Sequence, residues 1–115
     1  EEMAVTEALE LRKFCRDRRM NVGPVILNQW VTDRFAVEEI ENLRNMENPS
    51  DALRAAIDCS VAEFELAQSQ RHAAAMLSAA GLDCWRLKRC VNHQPQALIA
   101  QLTNDIEKIV FPPHD

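Results

Sequence analysis

Three arginines near the start of the sequence have a spacing suited to binding anions. Arg12, Arg16 and Arg19 stand at i, i+4 and i+7, which places them along one stripe of an α-helix. Guanidinium groups hold phosphate or carboxylate through paired hydrogen bonds, so this stripe could bind a nucleic-acid backbone or an acidic protein. The same side chains could instead follow the edge of the core and pair with the acidic middle of this chain.

A second basic group accompanies a tryptophan in the segment 84–90. On a helical wheel Trp85, Arg86 and Arg89 share one side. Because unpaired arginines are costly to bury, Trp85 is predicted to be partly exposed beside Arg89, unless the helix is not regular there. The other interpretation is a tryptophan that only covers the edge of the core. A partly exposed tryptophan flanked by arginine has the composition of an interface hot spot. The sequence therefore predicts six partner-binding residues: Arg12, Arg16, Arg19, Trp85, Arg86 and Arg89.

The cysteines, histidines and carboxylates form no pattern that points to catalysis or to a metal. Structural zinc sites place paired cysteines about two to four residues apart, whereas Cys84 and Cys90 are further apart and a helix would point them in different directions. The sequence contains no glycine-rich phosphate loop, nucleophile elbow or dinucleotide fingerprint. We therefore predict a protein without enzymatic activity, cofactor or metal ion, and keep a small enzyme with an unrecognised site as a remote alternative.

Length, composition and charge narrow the class of protein further. The chain has 115 residues, of which 47% are hydrophobic and 27% charged. These values predict one folded domain over 1–115 and exclude disordered or collagen-like chains. A net charge of −5 argues against a surface devoted entirely to nucleic acid or to anionic membrane. No apolar run approaches the ~18 residues of a membrane span, so we predict no membrane partner.

The cysteines indicate a cellular compartment, and the first residues indicate whether the chain is part of a longer protein. Cys15, Cys59, Cys84 and Cys90 are widely spaced, and we predict reduced thiols in a reducing, intracellular (cytoplasmic) compartment. The sequence starts Glu1-Glu2-Met3 and not with an initiator methionine. We therefore expect either a piece of a longer protein or a trimmed product.

The apolar residues follow helical spacing along the whole chain, and the sequence predicts no strands. One helix begins at Pro24, a residue suited to a first helical position, and bends near 33–36. The other predicted helices cover residues 3–19, 37–46, 49–80, 83–91 and 95–110. The predicted fold is all-α: an irregular bundle of five or six helices in a single domain, with a slice of helical solenoid as the alternative.

The helix over 49–80 is the longest of these. Asn48 is its predicted N-cap, and Gly81 is its predicted left-handed C-cap. At ~1.5 Å per residue it would be far longer than the ~30 Å helix that matches the diameter of a small domain. It is therefore expected either to break near 69–70 or to extend beyond its neighbours and pack on a partner.

These features favour a non-catalytic helical protein–protein interaction module, an adaptor or regulatory subunit. We expect it to self-associate, as a homodimer for example, or to dock on a larger assembly. The alternative is a nucleic-acid-binding accessory protein that uses the arginine stripe of the first helix together with Arg86, Lys88 and Arg89. That alternative requires the first helix and the 83–91 segment to lie side by side.

Overall fold

The described part of the chain forms four helices and a two-stranded parallel sheet. The structure, a computed structural model, describes residues 2–113. The elements in chain order are α1 (Glu2–Asp17), β1 (Val25–Trp30), α2 (Val37–Arg44), α3 (Asp51–Ala79), β2 (Cys84–Lys88) and α4 (Pro95–Val110). The strands β1 and β2 pair in parallel, with α2 and α3 forming the connection between them.

The predicted all-α bundle of five or six helices is wrong, although 62% of the described residues are helical. The segment predicted as a helix from Pro24 forms β1, and the segment predicted as a helix over 83–91 contains β2. A short continuous apolar run is compatible with a buried strand of a parallel sheet as well as with a helix, and periodicity alone does not separate the two. In β1 the β-branched Val25 and Ile26 favour the extended conformation.

The long helix α3 is unbroken, so the expected break near 69–70 is absent. It runs for 29 residues, Asp51–Ala79, and passes through 69–70 without interruption. Its N-cap is Ser50, whose Oγ accepts a hydrogen bond from the Leu53 N–H at 3.3 Å. The prediction of Asn48 as the cap is wrong, because that residue has a φ of 46° and lies before the helix.

The C-terminus of α3 ends at a glycine, as predicted. Gly81 has a φ of 77°, and its N–H donates to the Ser78 carbonyl. The Leu82 N–H donates to the Leu77 carbonyl, which completes a Schellman motif. Both leucines are buried in the same core cluster, so this turn fixes the point at which the chain leaves α3 for β2.

The core lies where α1 and α3 cover one face of the sheet. Val5 of α1, Leu77 of α3 and Leu82 form its buried centre, and the strand residues Val25 and Leu27 pack against it. The helix α2 also packs on α3, and each of these two helices buries an isoleucine, Ile40 and Ile57. Because α4 contacts β2 but neither α1 nor α3, it lies on the opposite face of the sheet.

The molecule is more extended than a compact domain of its length. Its radius of gyration is 18.2 Å, against about 13 Å expected for a compact chain of this size. Within residues 2–113, α2 packs on α3 alone and α4 packs on β2 alone, whereas α1 packs on α3 and on the strand residues of the core. None of the helices in this range combines the length and the apolarity needed to cross a membrane.

Candidate interaction surface

One edge of the small sheet is open. The Val25 N–H donates to the Asp83 carbonyl, and the Arg89 N–H donates to the Trp30 carbonyl, so these groups of β1 face β2. Successive backbone groups of a strand alternate in direction, so the N–H and C=O of the residue after Val25, Ile26, face away from β2. We call this side of β1, over Val25–Trp30, the outer edge of β1.

An apolar groove of about 300 Å³ runs along the outer edge of β1. The four consecutive residues from Val25 to Asn28 all contribute to its lining. Since consecutive side chains of a strand point to opposite faces, a groove that touches all four lies against the edge of the strand and not against one face. The helices α1 and α3 supply further walls: Ala4, Val5, Ala8, Gln70, Ala73 and Leu77.

One end of the outer edge is already occupied by a side chain. The Gln70 side chain donates from Nε2 to the Gln29 carbonyl at 3.0 Å and accepts at Oε1 from the Val31 N–H at 2.8 Å. Its amide thus replaces the peptide group of a neighbouring strand. Gln29 itself has a φ of 56°, and the strand pairing shifts here between Leu27 and Trp30. Sequence reasoning missed Gln70, because it stands in a run of five polar residues, 68–72, and nothing in its type distinguishes it from its neighbours.

The face of the sheet under α4 is covered on its β2 half only. Ile26 is the register partner of Trp85, so the two side chains share this face with Leu87. Leu87 is buried, whereas 55% of Ile26 is exposed. On α4 itself three apolar side chains at helical spacing are exposed, and we call them the α4 stripe: Ile99, Ile106 and Val110.

The arginines predicted on the first helix have three different environments. Arg12 donates from Nη1 to the Ala80 carbonyl and from Nη2 to the Gly81 carbonyl, the second hydrogen bond being 3.4 Å long. It therefore binds the C-terminal end of α3. Arg16 is exposed in the last turn of α1, and Arg19 lies beyond the helix with a φ of 56°.

The helical wheel drawn for the second basic group does not apply, because the segment is a strand. On β2, Trp85 and Arg86 point to opposite faces. Trp85 is half-buried, and its Nε1 donates to Asp83 Oδ2 at 3.2 Å. The guanidinium of Arg86 lies 4.5 Å from the ring centroid of Trp30, so Trp30 is the tryptophan that carries a stacked arginine.

A second groove, of about 520 Å³, lies at the carboxyl ends of both strands. Lys88 and Arg89 line it, and within residues 2–113 their side chains have no ion-pair partner. Arg34 and Glu63 also line it and pair with each other at 3.2 Å. Ligands of open α/β sheets bind at the carboxyl ends of the strands. If Arg89 binds an anion, this groove is therefore the expected site.

The two predicted basic groups do not share one surface. The helix α1 packs on α3, whereas β2 packs on β1, α3 and α4. The requirement that the first helix and the 83–91 segment lie side by side is therefore not met by the described residues. Comparison with protein-family models, with curated proteins and with solved structures finds no match. The function is accordingly argued from these surfaces alone.

Proposed function

We propose that the protein is a non-catalytic protein–protein interaction module, an adaptor or regulatory subunit that self-associates. The accessible surface of the chain carries this proposal. It amounts to 9074 Å² for a mass of 13.1 kDa, whereas a compact monomer of that mass exposes about 6,400 Å². The excess, about 2,700 Å², is of the size that a large, permanent interface covers.

The nature of the exposed surface supports the same proposal. Within residues 2–113, nine apolar side chains are buried, while fourteen large apolar side chains are exposed. Four of the exposed ones lie on the outer edge of β1 and on the α4 stripe: Ile26, Ile99, Ile106 and Val110. Contiguous exposed apolar surface is typical of protein interaction sites. The predicted partner-binding residues Arg16, Trp85 and Arg89 are proposed as further polar or mixed contacts of the module.

Sedimentation equilibrium of the purified chain tests self-association. From about 1 to about 100 µM we expect the average mass to rise toward twice 13.1 kDa, because mass action favours the associated form. High salt should leave this mass unchanged, since apolar contacts are not screened by ions. A mass of 13.1 kDa over the whole range would contradict self-association.

The nucleic-acid alternative has weaker support. Its arginines are divided between α1 and β2, and Arg12 is bound to the end of α3. What favours it is the pair Lys88 and Arg89, which face the groove at the carboxyl ends of the strands. A salt titration of binding to a generic oligonucleotide tests it, because phosphate contacts weaken steeply with salt. Absence of binding at low salt would eliminate this alternative.

We propose a reducing compartment for this module. All four cysteines are free, and Cys59 is exposed while the other three are half-buried. Free thiols persist where glutathione and thioredoxin keep them reduced. The proposed self-association therefore does not depend on disulfides, and an added reducing agent should leave the sedimentation result unchanged.

A further inference from the structure

We propose that β1 of one copy pairs with β1 of a second copy along their outer edges, forming a four-stranded sheet in the order β2-β1-β1-β2. The pairing is antiparallel about a twofold axis perpendicular to the sheet. This inference rests on the proposed self-association and names the surface that performs it.

The first support is the composition of β1. The segment 20–32, which contains β1, has no Asp, Glu, Lys or Arg, in a chain of which 27% is charged. Proteins usually protect exposed strand edges with charged side chains, proline or bulges. Arg86 and Lys88 give β2 such protection, whereas β1 has only Pro24 directly before its first residue and the Gln29 bulge, bound by Gln70, near its last.

The second support is the geometry of the open part of the edge. The backbone groups of Ile26 face away from β2, and 55% of this residue is exposed. The groove of about 300 Å³ lies against the same stretch of strand and leaves it accessible. A two-stranded sheet is marginal by itself, and parallel sheets normally have both faces covered and several strands. An added strand supplies both the hydrogen bonds and the missing width.

A second copy fits this edge better than a foreign segment does. Twofold pairing uses one surface patch on both partners, and here that patch is uncharged, so two chains of net charge −5 meet without like charges in the strand pair. The axis keeps α1 and α3 on one face of the joined sheet and α4 on the other. The exposed Ile26 side chains then become neighbours at the centre of that face, between the two α4 helices, which lie over the outer strands β2.

The substitution Ile26→Pro tests the pairing. Proline removes an N–H that faces away from β2, and Val25, which precedes it, is already extended, so the β1–β2 ladder keeps its bonds. We expect dimerisation to weaken by about 100-fold or more, since each copy loses a hydrogen bond of the strand pair. The matched control Ile26→Thr keeps the N–H and the preference for extended backbone, and should stay within about 10-fold of the unchanged protein.

Amide hydrogen exchange on the unchanged protein supplies a second readout that does not depend on the folding of a variant. The Ile26 amide should become protected as the concentration rises and the dimer forms. A dimer in which this amide exchanges fast, or an Ile26→Pro variant that dimerises normally, would overturn strand pairing and leave self-association standing. A chain that stays monomeric would overturn both.

Discussion

Arg12 differs from the other arginines of the first basic group because its side chain has a fixed partner. Its guanidinium reaches the carbonyls of Ala80 and Gly81, two groups that have no partner further along α3. A cation there also complements the negative end of the helix dipole. Arg12 therefore acts mainly within the fold, whereas Arg16 is available for a contact with another molecule.

The substitution Arg12→Ala tests this division. We expect it to lower the free energy of unfolding by about 1 kcal/mol, because it leaves two carbonyls without a charged donor. The control Arg16→Ala, at an exposed position of the same helix, should change that free energy by less than about 0.5 kcal/mol. Urea unfolding at one fixed protein concentration measures both. Equal effects of the two substitutions would contradict the role given to Arg12.

At the scale of elements, the end of α3 depends on one backbone conformation. Gly81 has a φ of 77°, while the nearest atom to an added Cβ would be Arg12 Nη2 at 3.9 Å, so there is room for a side chain. Gly81→Ala should therefore destabilise the protein by about 1 kcal/mol through backbone strain alone.

Gly23 is the matched control for Gly81. It has no positive φ, and an added Cβ would meet nothing within 4 Å. Gly23→Ala should thus be neutral or stabilise by up to about 1 kcal/mol, because it restricts the unfolded chain. Thermal unfolding of both variants measures the difference, and effects of the same sign would contradict the argument.

The sequence predicted helices better than strands, because a helix is specified by local residues and a strand by a distant partner. The helix α4 begins at Pro95 and ends at Val110 as predicted, because a proline start and a regular apolar face specify it locally. The strands β1 and β2 are stabilised by pairing with each other across the whole of α3, and no local spacing encodes that contact. The same limit applies to the candidate surface: the outer edge of β1 and the hydrogen bonds of Gln70 exist only once the sheet has formed.

At the scale of the whole molecule, the elements resemble half of a layered α/β domain. Two helices cover one face of the sheet, one helix covers part of the other, and two strands are all that residues 2–113 contribute to the sheet. The helix α3, ~43 Å long at ~1.5 Å per residue, is longer than the strands it covers. The exposed apolar surface includes Ile26 of β1 and the α4 stripe, and a second copy paired along β1 would add strands there and extend both helical layers.

Such an arrangement makes the stability of the fold depend on protein concentration. If the dimer unfolds directly to two unfolded chains, each tenfold rise in concentration should raise the midpoint temperature by about 3 °C for a pair of chains of this length. The Ile26→Pro variant, which removes the proposed strand pair, should show a lower midpoint without this dependence. Differential scanning calorimetry from about 5 to about 500 µM measures the slope. A midpoint of the unchanged protein that does not move with concentration would mean that the 115-residue chain is stable by itself, with its apolar edge and its α4 stripe left in water.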